Sequence, residues 1–326
     1  MSILVTGGAG YIGSVVVEEL IRRDYDVVVL DNLQAGHRQA VSPQAALVQG
    51  DVGDAELLGR IFRDHAVEAV AHFAAEVSVP DSMKDPARYF DANLLKGVAL
   101  LDAMRDNDCS RLIFSSTAAI FGDPQHSPVD EAHPQCPLSA YGESKLMFEH
   151  VLDWYHRAYG LAFIALRYFN AAGATDRLGE AHTPEEHLIP LLMQVALGRK
   201  PHIEVYGRDY PTDDGTCVRD YIHVADLAQA HVLALEGLKQ HPAGKYNLGN
   251  GEGYSVLEVI HTAEKVVGKP IPVREAARRP GDPAVLVASS KLAKADLGWK
   301  AQHAELEDIV ASAWRWHRAH PSGYGT

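Results

Sequence analysis

A tyrosine and a lysine four positions apart, Tyr141 and Lys145, have the spacing that acid–base chemistry on one helix face requires. Residues i and i+4 share a helix face, so the lysine can reach the site that holds the tyrosine hydroxyl. A free tyrosine has a pKa of about 10, and a base near pH 7 needs that pKa lowered by roughly three units, about 4 kcal/mol. Nearby cations in a dry cleft favour such a shift. The spacing alone is also common on helix surfaces, so its meaning depends on its neighbours.

Three hydroxyl residues, Ser115, Ser116 and Thr117, close an apolar run that predicts a strand. Ligands of open parallel sheets bind at the carboxyl ends of the strands. A hydroxyl at such an end can bond the reacting oxygen of a substrate and relay its proton, although it can also merely cap the strand. Together with Tyr141 and Lys145, this cluster predicts proton transfer at a hydroxyl group.

The glycine-rich segment Thr6–Gly13 follows the first predicted strand and opens a helix. It fits the pattern G-x-G-x-x-G at Gly8, Gly10 and Gly13, which allows a tight turn and close approach of the backbone to a pyrophosphate. The helix N-terminus adds free N–H groups and the positive end of its dipole. Asp31 ends the second predicted strand, where an acid bonds the adenosine ribose hydroxyls. Its charge would repel a 2′-phosphate, so the segment predicts NAD rather than NADP.

Short apolar strands alternate with amphipathic helices through the first half of the chain. Parallel pairing requires such helical crossovers, and nearly continuous apolar strands indicate a sheet covered on both faces. This order predicts an α/β domain with a doubly wound parallel sheet. The predicted strands are Ile3–Thr6, Asp26–Leu30, Ala46–Gly50, Glu68–Phe73, Arg111–Ser116 and Ala162–Tyr168, and the helices between them include Tyr11–Arg22, Arg88–Met104 and Ser139–His156.

The second half differs in composition. Asn170–Glu186 predicts a long loop, and Pro270–Pro283 an irregular basic stretch. Helical patterns at Val256–Val267 and Leu306–His317 close a second, smaller lobe of mixed α/β type. A lobe over the carboxyl ends of a parallel sheet creates a cleft there.

Composition and charge exclude several other classes. The chain has 47% hydrophobic and 22% charged residues, a globular balance, and a net charge of −13. That charge argues against nucleic acid or a polybasic membrane patch as partners. No apolar run approaches the roughly 18 residues of a membrane span, and no signal peptide is recognisable. Cys109, Cys136 and Cys217 form no Cys-x-x-Cys pair, so we expect a cytoplasmic protein without disulfides or a metal site.

These motifs together resemble the extended short-chain dehydrogenase/reductases and, within them, the family of UDP-glucose (UDP-galactose) 4-epimerases. The resemblance runs nearly end to end. It is carried by Thr6–Gly13, Leu30–Leu33, His72–Ala74, Ser115–Gly122, Tyr141–Lys145, Arg167–Asn170, Asp209–Val224 and Arg279–Asp282. The block Asp209–Val224 is typical of UDP-galactose 4-epimerases and close relatives rather than of the whole superfamily.

The resemblance implies a Rossmann-type domain for NAD and a lobe for a UDP-sugar. Residues 1–169, with a returning segment at about 217–250, would form the NAD-binding domain. Residues at about 170–216 and 251–326 would form the UDP-sugar-binding lobe. The family also implies a homodimer, packed through helices at about Arg88–Met104 and Ser139–Tyr155.

The resemblance further assigns roles to single residues. Tyr141 would be the catalytic acid/base, Lys145 would orient the nicotinamide ribose and lower the pKa of Tyr141, and Thr117 would assist at the sugar hydroxyl. NAD would contact Gly7, Gly10, Tyr11, Ile12, Gly13, Asp31, Asn32, Asp51, Val52, Phe73, Ala74, Ala75, Tyr141, Lys145 and Phe169. The UDP-sugar would contact Thr117, Tyr141, Asn170, His187, Leu188, Tyr206, Arg219, Arg279 and Asp282. A simple turn role for Asp51 is equally compatible with its position after a strand.

The implied reaction is oxidation at carbon 4 of the sugar to a ketone, rotation of the keto-sugar, and return of the hydride to its other face. Leu286 stands where the family walls the sugar pocket. A large aromatic residue there excludes N-acetyl groups and a small one admits them, so leucine is intermediate. UDP-galactose and UDP-glucose are the expected substrates, and a UDP-pentose (xylose or arabinose) or a UDP-N-acetylhexosamine is the alternative. A non-catalytic NAD-sensing protein is a distant alternative, because such proteins typically lose the tyrosine or the lysine.

Overall fold

The computed structural model describes residues 1–279 and 281–325, and its strands and helices alternate through most of the chain. The strands are β1 Ser2–Thr6, β2 Asp26–Asp31, β3 Ala46–Gln49, β4 Val67–His72, β5 Arg111–Thr117, β6 Ala162–Tyr168, β7 Asn170–Ala172, β8 Ile203–Tyr206, β9 Val218–Arg219, β10 Tyr221–His223, β11 Ala243–Leu248, β12 Tyr254–Ser255, β13 Val273–Ala276 and β14 Val285–Leu286. The helices are α1 Tyr11–Arg22, α2 Ala55–Asp64, α3 Val79–Lys84, α4 Pro86–Phe90, α5 Lys96–Asp106, α6 Ala140–Tyr159, α7 Leu188–Ala196, α8 Val224–Gly237, α9 Val256–Val267, α10 Lys291–Asp296 and α11 Leu306–Ala319. A π-helical segment, Asp91–Leu95, joins α4 to α5.

Seven of these strands form one parallel sheet, in the order β11-β6-β5-β4-β1-β2-β3. The chain moves outward from β1 to β3 and then crosses to the other side of β1 with β4. This reversal is the topological switch point of a doubly wound fold, where ligands bind at the carboxyl ends. The predicted fold class is confirmed, and each of the six predicted strands is found to within one residue at either end.

Side chains of β1 alternate between the two faces of the sheet. Ile3 and Val5 lie in one buried apolar cluster with residues of α1 and α8, and Leu4 lies in the other with residues of α2, α5 and α6. Successive side chains of a strand point to opposite faces, so a continuous apolar run indicates helices on both sides. A third apolar cluster joins α7, α9 and α11.

Two predicted irregular stretches contain strands. Asn170–Ala172 pairs with β10, so the predicted loop begins only after this strand. Val273–Ala276 pairs with β8 inside the stretch predicted to be irregular. Both strands are too short to show a period of two in the sequence, and backbone pairing with a partner defines them. Pro280, in the same stretch, lies outside the described residues.

No helix in residues 1–279 and 281–325 combines the length and apolar character needed to cross a bilayer.

Candidate active site

The start of α6 places Tyr141 and Lys145 beside the carboxyl end of β5. The helix begins at Ala140, and the side chain of its N-cap, Ser139, accepts a hydrogen bond from the Gly142 amide at 3.1 Å. One turn further on, Lys145 is buried and its Nζ donates to the Ser115 carbonyl oxygen at 3.0 Å. This bond joins the helix face that carries Tyr141 and Lys145 to the strand end that carries the predicted hydroxyl cluster.

The Thr117 side chain is near enough to Tyr141 for its hydrogen-bonding to act on the pKa of the phenol. Burial raises the pKa of Tyr141, and Thr117 only partly opposes that effect. Burial also lowers the pKa of Lys145 to about 7. The described residues therefore shift Tyr141 away from the low pKa that base catalysis needs, and a further positive charge is required to reverse the shift.

The glycine-rich segment at the β1–α1 junction leaves no room for a side chain at Gly7 or Gly13. A Cβ on Gly7, whose φ is +73°, would lie 2.6 Å from the Ala74 amide nitrogen, and one on Gly13 would lie 2.3 Å from the Gly7 carbonyl oxygen. Within the described part of the chain, α1 has no side-chain cap at its N-cap, Gly10. A glycine-rich turn leading into an uncapped helix start fits a pyrophosphate, because backbone N–H groups can approach it closely.

The Asp31 carboxylate organises this turn from the end of β2. It accepts hydrogen bonds from the amides of Ala9, at 2.9 Å, and Leu33, at 2.8 Å, and it is buried. Both oxygens thus hold backbone segments in place, and each retains a lone pair for a further donor. The predicted position of an acid beside a ribose is compatible with this geometry.

Asp51 has the turn role that its position after β3 allowed. Its carboxylate accepts from the Gly53 amide and from Lys96 Nζ, both at 2.8 Å. Partial burial acts to raise the pKa of Asp51, but the hydrogen bonds from Lys96 and Gly53 outweigh it and hold the pKa below its usual value. The next residue, Val52, is buried.

Replacing Gly13 by alanine should destabilise the fold by about 1–3 kcal/mol, because the new Cβ would overlap the Gly7 carbonyl oxygen. The free energy of unfolding in urea measures this effect. Gly59→Ala, in the interior of α2, is the matched control, since its Cβ would meet only the mobile end of Arg63 at 3.2 Å. The control should be neutral or slightly stabilising. Equal effects of the two substitutions would contradict the proposed close packing of the turn.

Two arginines that the sequence predicts to contact the substrate each pair with another predicted substrate residue. Arg219 on β9 is buried, and its Nη2 forms an ion pair with Asp282 Oδ1 at 2.6 Å. The guanidinium of Arg279 lies 4.0 Å from the ring centroid of Tyr206, at the end of β8. Planar guanidinium groups suit a diphosphate, which accepts paired hydrogen bonds. The structure thus brings together four of the predicted substrate residues as two pairs.

The remaining predicted residues are distributed along the same edge. Phe169 packs with Ala118, Ile120 and Leu286 next to Thr117. The Asn170 side chain donates to the Asp220 carbonyl oxygen at 2.9 Å. Phe73 and Ala74 follow β4, where their amides donate to the Thr6 carbonyl oxygen, and Ala75 continues that loop. Tyr11, Ile12 and Leu188 lie in the first turns of α1 and α7, and Asn32 directly follows β2.

His187, a predicted substrate contact, lies at the start of α7. It is the N-cap of α7, and its Nδ1 lies 2.8 Å from Glu180 Oε1 and 3.1 Å from Glu185 Oε1. Among the described residues it forms no direct hydrogen bond or ion pair with another predicted substrate residue. Carboxylates of its own loop hold this imidazole.

Sequence reasoning missed a buried ion pair beneath the site. Glu149 accepts hydrogen bonds from Ser116 Oγ at 2.6 Å and from Arg167 Nη2 at 2.6 Å, and both ionic side chains are almost fully buried. The spacing held the signal, because Glu149 follows Lys145 by four residues and Tyr141 by eight on one helix face. The pair fixes α6 against β5 and β6.

Dinucleotide-binding α/β proteins place a glycine-rich turn at the carboxyl end of the first strand, beside the switch point of the sheet, and this chain has the same arrangement. The chain belongs to the NAD dependent epimerase/dehydratase family, whose model matches residues 3–249. A UDP-glucose 4-epimerase from Lacticaseibacillus casei is 48% identical over 328 residues, which cover 100% of this chain and 99% of the relative.

Solved structures of relatives have the same fold. A UDP-glucose 4-epimerase from Brucella ovis in complex with NAD is similar with a TM-score of 0.92 at 46% identity, covering 96% of this chain and 97% of that one. The enzyme from Bifidobacterium longum in complex with NAD+ and UDP gives a TM-score of 0.95 at 39% identity, covering 99% and 100%. The comparisons confirm the predicted family and, through its NAD dependence, the predicted cofactor.

Proposed function

We propose that this chain interconverts UDP-galactose and UDP-glucose with NAD as its cofactor. The observation that carries the proposal is the placement of Tyr141 and Lys145 at the start of α6, where Lys145 Nζ donates to the Ser115 carbonyl oxygen at the strand end that also carries Thr117. The high coverage and identity of the UDP-glucose 4-epimerase from Lacticaseibacillus casei support the same substrate pair.

Thr117, Tyr141 and Lys145 have different roles in the proposed proton transfer. When bound, NAD supplies a hydride acceptor and donor for carbon 4 and a positive charge beside Tyr141. Thr117 and Tyr141 bond the C4 hydroxyl, and Tyr141 receives its proton and later returns it. Because burial raises the pKa of Tyr141, the phenol would lose its own proton to solvent only when positive charge is nearby, and the resulting phenolate then accepts the proton of the C4 hydroxyl. Lys145 holds a proton in the same pocket and orients the ribose hydroxyls.

The predicted contacts to the diphosphate explain how the sugar ring could rotate within the pocket while the nucleotide stays bound. Arg219 uses one guanidinium nitrogen for Asp282 and another for the Val218 carbonyl oxygen, at 2.8 Å. A guanidinium has five donors, so further N–H groups remain for a phosphate. Strong binding of the diphosphate and weak binding of the sugar would let the ring rotate without release.

The test is conversion of UDP-galactose by the purified chain, followed by NMR with no NAD added. UDP-xylose and UDP-N-acetylgalactosamine run in parallel. Formation of UDP-glucose supports the proposal. No conversion even with NAD supplied would refute the hexose assignment, and activity on UDP-xylose alone would make the chain a pentose epimerase.

Leu286 offers a separate prediction on substrate choice. It pairs with Arg219 in the β14–β9 ladder and packs against the cluster of Phe169 and Ala118. Leu286→Gly should open space at the sugar and raise kcat/KM for UDP-N-acetylgalactosamine relative to UDP-galactose by about tenfold, the scale of a few methylene groups in a pocket. Leu286→Tyr should shift the ratio in the opposite direction. An unchanged ratio in both variants would place Leu286 outside the sugar pocket.

We also propose that the chain forms a homodimer through the helical surface of α3 to α6. Large apolar side chains are exposed there, with Met83 62%, Leu95 61% and Leu138 51% exposed, and Met83, Phe90 and Leu138 line a groove. Contiguous exposed apolar patches of this kind mark interaction surfaces. The predicted interface helices contain or adjoin these residues.

Light scattering on the purified protein tests the dimer. The expected mass is about twice that of the 35.5 kDa chain, and Leu95→Asp should reduce it to that of one chain. Leu292→Asp, at an exposed leucine on α10, is the matched control and should leave the mass unchanged. A single-chain mass for the unmodified protein would contradict the dimer.

The three cysteines support a cytoplasmic location. All are free thiols, with Cys109 and Cys217 buried and Cys136 exposed. Free thiols are stable in a reducing compartment, whereas oxidising compartments favour disulfides. We therefore propose the cytoplasm as the site of action.

A further inference from the structure

Two carboxylates and two imidazoles converge in the loop between β7 and α7. Glu180 and His182 form one Glu-x-His pair, and Glu185 and His187 form a second one five residues later. One potential ligand atom from each of the four side chains lies within 4.8 Å of the other three. The loop thus folds two identical short patterns onto each other.

The distances within this cluster are close to those of a coordination sphere. Glu180 Oε1 lies 2.8 Å from His187 Nδ1 and 3.1 Å from His182 Nδ1, and His187 Nδ1 lies 3.1 Å from Glu185 Oε1. A tetrahedral zinc ion with bonds of about 2.0–2.2 Å separates neighbouring ligand atoms by about 3.3 Å. These three contacts would have to lengthen slightly to admit an ion, and the other pairs of ligand atoms lie within 4.8 Å of each other.

The charge of the cluster favours a cation. The side chains of Glu180 and Glu185 are only 5% and 4% exposed, and two buried carboxylates need compensating positive charge. Either two protons on the imidazoles or one divalent cation can supply it. Carboxylate oxygens mixed with imidazole nitrogens suit Zn²⁺ and similar transition metals, whereas Ca²⁺ and Mg²⁺ prefer oxygen ligands alone.

We propose that Glu180, His182, Glu185 and His187 bind one divalent transition-metal ion of the Zn²⁺ type in a structural site. All four positions of a tetrahedral sphere come from the protein, as in structural rather than catalytic zinc sites. The sequence led us to expect no metal, because we judged metal binding from the spacing of the cysteines. The folded loop brings the two Glu-x-His pairs together, and their separation in the sequence does not show this.

The loop that carries the cluster is fastened to the glycine-rich side of the cleft. His37 Nε2 lies 2.9 Å from the Ala181 carbonyl oxygen, and the Tyr11 hydroxyl donates to the Gly173 carbonyl oxygen at 2.6 Å. Ser78 Oγ donates to Glu186 at 2.9 Å. An ion among residues 180–187 would therefore stiffen a segment that spans from the first βα turn to the start of α7. This role does not depend on the proposed reaction.

Metal content of the full-length protein without an affinity tag tests the site. After dialysis against Zn²⁺ and removal of free ion, mass spectrometry should find about one zinc per chain. Titration with Co²⁺ should give the intense visible absorption of a four-coordinate ion. Glu180→Gln and His182→Gln should each weaken Zn²⁺ affinity by at least tenfold, in the range seen even for outer-sphere changes.

His126→Gln is the matched control. His126 is an exposed imidazole whose ring centroid lies 4.8 Å from that of His133. The substitution therefore removes one histidine from a histidine pair outside the Glu-x-His cluster. It should keep one zinc per chain. Circular dichroism identifies a ligand variant that has failed to fold. The Co²⁺ titration uses the unmodified protein, so it tests the site even if a variant does not fold. Absence of bound zinc and of the cobalt spectrum would overturn the proposal, as would unchanged zinc content in a folded ligand variant.

Discussion

Replacing Tyr141 by phenylalanine should lower kcat for UDP-galactose conversion by about 10²- to 10⁴-fold, the contribution of one positioned acid–base group. The substitution removes the phenol hydroxyl, whose pKa the nearby Thr117 influences, and leaves the ring in place. Binding of the UDP-sugar should change little, because the predicted diphosphate contacts come from Arg219 and Arg279. Initial rates at saturating substrate measure the effect.

Tyr155→Phe is the matched control on the same helix. Its hydroxyl donates to Asp102 at 2.8 Å, away from the Thr117 end of α6. This variant should retain the kcat of the unmodified chain. A Tyr141→Phe variant with more than a tenth of the original kcat would assign the proton transfer to another group.

The second large effect is on stability. Glu149→Gln should lower the free energy of unfolding by about 3–5 kcal/mol, because it leaves the buried Arg167 without its countercharge. The glutamine keeps the size of the side chain, so the loss reports charge rather than a cavity. Urea unfolding followed by circular dichroism provides the measurement.

An exposed ion pair provides the comparison. Glu307→Gln breaks a bond to Lys265, and both side chains are more than half exposed. This change should cost less than about 1 kcal/mol. A double variant, Glu149→Leu with Arg167→Met, should recover much of the stability lost by Glu149→Gln, since apolar replacement of a whole buried pair is often neutral. Similar losses for Glu149→Gln and Glu307→Gln would contradict the account of the buried pair.

The central sheet could be predicted because its strands carry strong local patterns. Ile3, Leu4 and Val5 are buried on both faces, so their apolar run is visible without knowledge of the partners. The seventh strand, Ala243–Leu248, was assigned only to a returning segment. It includes Lys245 and Asn247, whose polar side chains bond to Asp153 and to the Val129 carbonyl oxygen, so its pairing with β6 has little sequence signal.

The candidate site was predictable where its residues share one element. Tyr141 and Lys145 lie one turn apart, and Thr117 ends a recognisable strand. The direction of the pKa shift of Tyr141 was not predictable, because it depends on burial by distant segments. The cluster of Glu180 and His187 was missed for the same reason, since only the folded loop brings its two halves together.

The most direct measurement follows a deuterium label at carbon 4 of UDP-galactose during conversion in ordinary water. The account predicts that UDP-glucose forms with the deuterium still at carbon 4, because the hydrogen leaves as a hydride and returns to the same sugar without exchange with solvent. Product that carries hydrogen from water at carbon 4 would contradict this mechanism and indicate direct proton abstraction instead.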